Sequence, residues 1–232
     1  MSGAKTKLLA VDLDGTLVDS APDIAHCLGV ALEAVGFDTP GEARTRIWIG
    51  DGLETLIARA LAAADERRSG TPSPPSERAT GERQAEALAA FLACYRHNLF
   101  RRSRLYPGAE VTLDALLARG VRLCCITNKR IAFSESLLEQ AGVRDRFELV
   151  LGGDSLAEKK PSPLPLVTAA EALGVEPASA TLVGDSHQDL RSARAAGFGF
   201  VLAAYGYGKV DAAELGSSPR IERLAQLETL ID

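Results

Sequence analysis

The residues best equipped to do chemistry fall in four short stretches. Asp12-Leu13-Asp14-Gly15-Thr16 closes an apolar run that starts at Leu8. Thr127-Asn128-Lys129 follows the strand-like, mostly apolar residues 121–126, and Lys159-Lys160-Pro161 lies about thirty residues further on. Gly184-Asp185-Ser186-His187-Gln188-Asp189 follows the mostly apolar residues 180–183. Asp12 and Asp14 are two apart, so in extended backbone both side chains leave the same side. With Asp185 they make a hard, oxygen-only donor set suited to magnesium. A cation there offsets the repulsion between carboxylates and lets a phosphate dianion approach. One carboxylate can then attack phosphorus to give an acyl phosphate, dividing one difficult displacement into two. Its neighbour can protonate the leaving alcohol and later deprotonate water. A lysine and a hydroxyl can neutralise and orient the phosphoryl oxygens.

Other chemistries fit these residues less well. An EF-hand loop needs a third ligand before its glycine and a glutamate after it, whereas Gly15 comes too early and follows an apolar strand. His26, His97 and His187 are too scattered for a zinc motif. Cys27, Cys94, Cys124 and Cys125 show no CxxC spacing, and the adjacent pair would point to opposite faces of a strand. They read as reduced core thiols.

Positioning these stretches requires a particular scaffold. Residues 8–13 read as a buried strand with carboxylates at its C-terminal edge. Ser20-Ala21-Pro22-Asp23 has the cap, early proline and first-turn acid of a helix start, and apolar spacing continues through Ile24, Leu28, Ala31, Leu32 and Val35. From there to about residue 100 the pattern is helical, with the clearest helices predicted at 53–64 and 85–99. The segment between them, 67–83, is rich in proline, serine and charge and reads as an exposed loop. After Tyr106-Pro107-Gly108 helix and strand alternate. Helices are expected at 111–118, 134–141, 164–173 and 190–196, and strands at 121–126, 147–151, 180–183 and 199–203. Such alternation predicts a parallel sheet covered on both faces, with ligands beyond the carboxyl ends of its strands. All four chemical stretches lie at or after such ends.

In this order the motifs resemble the haloacid dehalogenase superfamily of phosphatases, and within it the phosphoglycolate phosphatase group. DxDGT[LV] matches residues 12–17, the threonine after a hydrophobic strand matches Thr127, the lysine before P-x-P matches Lys160, and GDSxxD matches residues 184–189. Arg46-Ile47-Trp48-Ile49-Gly50-Asp51-Gly52, Thr127-Asn128-Lys129 and Tyr205-Gly206-Tyr207-Gly208 are similar to stretches of that group, although Arg130 stands where a proline often follows TNK. The resemblance implies an α/β fold with a Rossmann-like parallel sheet core, helices on both faces and an inserted all-helical cap domain. The core would comprise residues 1–18 and 105–232, and the cap residues 19–104.

The same resemblance implies Asp12 as nucleophile and Asp14 as general acid and base. Magnesium would be held by the Asp12 side chain, the Asp14 backbone carbonyl and Asp185, with Asp189 assisting through water or by orienting its neighbours. Thr127 and Lys160 would bind the transferring phosphoryl group beside Asn128, and Lys159 would be a solvated charge. His187 fills a variable position of its motif and reads as a surface residue. If the substrate is 2-phosphoglycolate, its carboxylate needs a positive partner; Arg46 is the first choice and Arg44 the fallback. A sugar phosphomutase and a nucleotidase or pyrophosphatase share this catalytic set. A silent phosphate-binding protein on the same fold is disfavoured because none of the acids is missing.

Composition narrows the partners. Hydrophobic residues at 46% and charged residues at 25% suit a soluble globular chain. A formal charge of −5 argues against nucleic acid as the ligand. The N-terminus resembles neither a signal peptide nor a membrane span, and no segment has ~18 uninterrupted apolar residues. The expectation is a cytoplasmic monomer or homodimer acting on a small phosphorylated metabolite, with no membrane partner.

Overall fold

The computed structural model describes residues 5–69 and 77–231. The N-terminal part runs β1 (Leu8–Val11), β2 (Val18–Asp19), α1 (Ala21–Ala34), α2 (Glu42–Trp48), α3 (Leu53–Ser69), α4 (Glu77–Tyr95) and β3 (Arg104–Leu105). It continues through α5 (Ala109–Ala118), β4 (Arg122–Ile126), α6 (Ile131–Gln140), β5 (Leu149–Leu151) and α7 (Leu164–Ala172). The C-terminal part is β6 (Ala180–Gly184), α8 (His187–Ala196), β7 (Gly199–Ala203), α9 (Ala212–Leu215), β8 (Arg220–Ile221) and α10 (Leu227–Leu230). The chain divides into two compact units: Met1–Asp19 with Arg104–Asp232, and Ser20–Ser103.

The first unit is built on a sheet of order β5-β4-β1-β6-β7-β8, in which every pairing is parallel. Leu8 and Ala10 face one layer, where they join Leu166 and Ala169 of α7 and Leu190 and Ala193 of α8 in a single buried cluster. Leu9 and Val11, out of phase by one residue, are fully buried as well, so both faces are covered. Cys124 belongs to that first cluster, and Cys125, equally buried, does not, in keeping with opposite faces of β4. The sheet and its flanking helices make the α/β fold expected from the alternation. No helix among the described residues is long and apolar enough to cross a membrane.

The second unit is helical throughout its described elements. Its core forms where α1 presents Ile24, Cys27, Leu28, Ala31 and Leu32, a 3–4 residue spacing, and α4 presents Ala87, Phe91 and Tyr95. Ile57, Ala60, Leu61 and Ala64 of α3 are buried too, and Arg83 bonds Asp65 to join α3 and α4 (3.2 Å). Ser20 stands at the N-cap of α1, but its side chain makes no capping bond. The first-turn acid does different work: buried Asp23 accepts the backbone N–H groups of Arg102 and Ser103 and the Ser103 hydroxyl, at 2.6–3.0 Å. This ties the first turn of the unit to its last residues.

Two expectations change. The loop predicted over 67–83 is shorter, because α3 runs to Ser69 and α4 begins at Glu77. Glu66, Arg67, Glu77 and Arg78 are good helix formers, and that preference outweighs the punctuation around them. The remainder of the predicted loop lies outside the described residues. The helix at Glu42–Trp48 falls within the stretch read as helical but was given no bounds of its own; it buries only Thr45, so it carries almost no periodic signal.

Candidate active site

The register of the central strands brings the four chemical stretches together. Val11 lies opposite Cys125 of β4 and Val183 of β6. Asp12 follows Val11 directly, and its N–H donates to the Val183 carbonyl (3.0 Å). Thr127 and Asp185 each stand one residue past the end of their own strand. β1 ends at Val11, so Asp14 is not part of an extended strand as its spacing from Asp12 suggested. The backbone is already turning there, with the N–H groups of Leu17 and Val18 both bonded to the Leu13 carbonyl. Gly15 completes the turn at φ +87°, and a Cβ at that position would overlap an Asp185 carboxylate oxygen.

Lys160 is the hub. Its ammonium donates to Asp12 Oδ1 (2.7 Å), Asp189 Oδ1 (2.5 Å) and the Ile126 carbonyl (2.6 Å). Three N–H donors meet three acceptors, so the group is saturated. Burial disfavours its charge, but Asp12 and Asp189 outweigh that and hold its pKa above the ordinary lysine value. Burial pushes Asp12 up to about 7, against the pull of Lys160. Lys159, the other candidate in that dipeptide, is half-exposed, and Lys160 is the buried one.

Asp189 is fully buried and fully engaged. Its second oxygen accepts the Ser186 N–H (3.0 Å) and hydroxyl (2.5 Å), while the Ser186 hydroxyl caps the Asp189 N–H at the start of α8. Asp185 is held from the other side: its Oδ2 accepts the N–H groups of Tyr207 (2.7 Å) and Gly208 (3.0 Å). Burial, then the carboxylates of Asp12 and Asp189, push Asp185 up to about 8 despite those two donors. The Tyr205–Gly208 loop is itself pinned. The Tyr205 hydroxyl donates to the Thr16 carbonyl (2.8 Å) and the Tyr207 hydroxyl to Asp19 (2.6 Å). A Cβ on Gly208 would collide with the Asp185 carbonyl, so only glycine permits this approach. Sequence reasoning saw these four residues as a family signature and assigned them no role.

The remaining candidates fall into place around this centre. Thr127 is buried, and its hydroxyl accepts the Lys129 N–H (3.2 Å). The Asn128 amide donates to the Lys160 carbonyl (2.9 Å), which fixes the lysine-bearing loop to the end of β4. Asp14, at the rim, accepts from Lys129, whose ammonium lies 3.1 Å from each carboxylate oxygen. Lys129 had no role in the sequence reading. Arg46 belongs to the helical unit, where its guanidinium donates twice to Glu42 (3.0 and 2.7 Å), and Arg44 stacks over Trp48 at 5.9 Å. His187 pairs with Glu214 (2.5 Å), half-buried on α8.

The donor set fits a hard divalent cation. Oxygens of Asp12, Asp185 and Asp189 lie within 4.8 Å of one another, and all three residues are buried. Three buried carboxylates facing a single lysine leave a net negative charge, which is the condition that burial penalises and a cation relieves. Asp12 Oδ2 and Asp185 Oδ1 make no hydrogen bond among the described residues, so each has an oxygen to offer. The Asp14 side chain is outside the cluster, turned to Lys129 instead.

This arrangement has relatives. A family model described as haloacid dehalogenase-like hydrolase matches residues 9–203. The chain is 39% identical to a phosphoglycolate phosphatase of Nitrosococcus oceani over 226 residues, covering 97% of this chain and 96% of that protein. It is 38% identical to the Escherichia coli phosphoglycolate phosphatase over 214 residues, covering 89% and 84%. A crystal structure from Haemophilus somnus, described as a predicted phosphoglycolate phosphatase, superposes with a TM-score of 0.89 at 32% identity, covering 98% of each chain. With the motif residues gathered at the carboxyl ends of β1, β4 and β6, and a family match spanning most of its length, the chain belongs to the haloacid dehalogenase-like hydrolases.

Proposed function

We propose that this protein is a magnesium-dependent phosphatase that hydrolyses 2-phosphoglycolate to glycolate and phosphate through an aspartyl phosphate on Asp12. The observation that carries this reading is the buried Lys160–Asp12 pair beside Asp185 and Asp189 at the sheet's carboxyl edge. Lys160 orients one Asp12 oxygen, and the other can meet phosphorus. The bond from phosphorus to the ester oxygen breaks as Asp14 passes its proton to the departing alcohol. Asp14 then takes a proton from water, whose oxygen attacks the phosphoryl group, and Asp12 is regenerated. Thr127 contacts the phosphoryl oxygens, and Asn128 and Asp189 hold Lys160 where it can neutralise them. Asp12, Asp185 and the Asp14 carbonyl would hold the magnesium, which would offset the carboxylate charge and supply Lewis-acid polarisation of the phosphoryl group. The helical unit serves as the cap that excludes water during the reaction. A cytoplasmic location suits this chemistry and is part of the proposal. The substrate reading rests on relatives named phosphoglycolate phosphatase at 38–40% identity over most of the chain.

A phosphate-release panel tests it. With magnesium present, 2-phosphoglycolate should be turned over with the highest kcat/KM among small phosphate esters, and EDTA should abolish the activity. Full activity in a metal-stripped preparation would refute the magnesium role. A clear preference for a hexose phosphate or a nucleotide would refute the substrate.

A further inference from the structure

Cys27 of α1 and Cys94 of α4 take no part in the site described above, yet their sulfurs meet inside the helical unit. Both are free thiols. The two Sγ atoms stand 2.7 Å apart, within about 0.7 Å of the S–S bond length of roughly 2.05 Å. Packed helices hold them there. Cys27 is fully buried in the apolar stripe of α1 with Ile24, Leu28 and Ala31, and Cys94 lies in the last turn of α4, three residues after buried Phe91. Asp23, one turn before Cys27, accepts the N–H groups of Arg102 and Ser103. That staple fixes the start of α1 to the chain leaving α4, which limits how far the two helices can part.

The two thiols differ in access. Cys94 is half-buried, so a small oxidant can reach it, and the Asn98 amide donates to its sulfur (3.5 Å) and steadies the side chain. Cys27 is closed off from solvent. Burial, then the hydrogen bond to Cys94, pushes its pKa up, so it stays a thiol and serves as the second partner. Cys124 and Cys125 lack this arrangement. Both are fully buried in β4, on opposite faces of the sheet, and burial pushes Cys124 up to about 12 and Cys125 well above the usual thiol value.

We propose that Cys27 and Cys94 form a modification site, a dithiol that a peroxide converts reversibly into a disulfide locking α1 to α4. The Cys94 sulfur attacks one oxygen of hydrogen peroxide, the O–O bond breaks, and the other oxygen leaves as water with the thiol proton. The Cys27 sulfur then attacks the sulfenic sulfur on Cys94. The S–S bond forms as the S–O bond breaks, and the hydroxyl leaves with the Cys27 proton as a second water. Two electrons pass from the thiol pair to the peroxide, and a dithiol reductant can return them. The new bond joins positions 67 residues apart, and closing so long a loop narrows the unfolded ensemble. The oxidised protein is therefore the more stable form. None of this depends on what the catalytic edge hydrolyses.

To test it, the full chain is reduced, freed of reductant and treated with hydrogen peroxide. Intact mass should fall by two hydrogens, and a non-reducing digest should give Cys27 and Cys94 in one cross-linked peptide pair. Of the four thiols, two should disappear from titration in denaturant and return with dithiothreitol. Oxidised wild type should melt at least about 5 °C above the reduced protein, whereas Cys94→Ser should show no such shift. Cys27→Ser should leave Cys94 as a sulfenic acid that dimedone traps; if that core variant folds poorly, the peptide map and the Cys94→Ser melts still decide. Peroxide that leaves all the thiols intact, links a different pair or two separate chains, or carries Cys94 to a sulfinic acid without a cross-link would overturn the proposal. So would an oxidised protein no more stable than the reduced one.

Discussion

At the scale of single residues, Asp12 and Asp14 are separated by one leucine yet live in different electrostatic surroundings. Asp12 is buried and tied to Lys160, whereas Asp14 sits at the rim with Lys129. Different surroundings suit different duties. Asp12→Asn keeps the shape of the side chain and its bond to Lys160 but removes the proposed nucleophile. Turnover should fall by at least about a hundredfold while the far-ultraviolet circular dichroism stays unchanged. A folded variant that kept more would sink the covalent route. Asp14→Asn should slow both half-reactions, but a nitrophenyl leaving group needs little protonation. With that ester the variant should accumulate phosphoenzyme, seen by intact mass as one added phosphoryl group. If the variant neither slows nor traps it, Asp14 has been misassigned.

At the scale of an element, the Tyr205–Gly208 loop acts as a backbone clamp on Asp185. Two N–H groups converge on one carboxylate oxygen, and the two tyrosine hydroxyls anchor the loop to Thr16 and Asp19. Outer contacts of this kind orient a metal ligand, the role proposed for Asp185. Gly208→Ala places a methyl group against the Asp185 carbonyl, so the loop must withdraw and its amides with it. Magnesium affinity measured by calorimetry should weaken about ten- to a hundredfold, with the fold retained. An unchanged dissociation constant would show that the clamp does not matter to the metal.

At the scale of the whole molecule, the buried carboxylates set a link between pH, metal and stability. Asp12 and Asp185 are pushed up to about 7 and about 8, chiefly by burial, whereas in an unfolded chain they titrate near 4. Between those values the native protein holds more protons than the unfolded chain. The metal-free protein should therefore lose stability as pH rises through this window. Magnesium bound as proposed would replace those protons, so the stabilisation it confers should grow with pH. Thermal melts with EDTA or magnesium at pH 6 and pH 8.5 measure both effects. A magnesium-induced rise in Tm that is equal at the two values would contradict the assignment of these carboxylates to the metal.

Much of this protein is written in local sequence. Largely apolar runs of four or five residues followed by aspartate or threonine mark β1, β4 and β6, because a strand buried on both faces is near-continuously apolar and its polar successor lies at the sheet's edge. The alternation after residue 106 likewise predicts the parallel sheet. Short elements escaped, since the two residues each of β2, β3 and β8 are too few to show a period, and the seven of α2, inside a stretch read as helical, are too few to show its bounds. What only the tertiary structure decided is which charges meet. Lys160 reaches Asp12 across 148 residues and Lys129 reaches Asp14 across 115. Spacing placed Asp14 beside Asp12 as a second carboxylate of one cluster, but the turn at Leu13 sends its side chain to Lys129, and Asp189 takes that place. The clamp on Asp185 comes from a loop more than twenty residues later, through backbone N–H groups that every residue but proline possesses. Such contacts depend on strand register and on the close approach that glycine allows, and neither leaves a periodic trace in the chain.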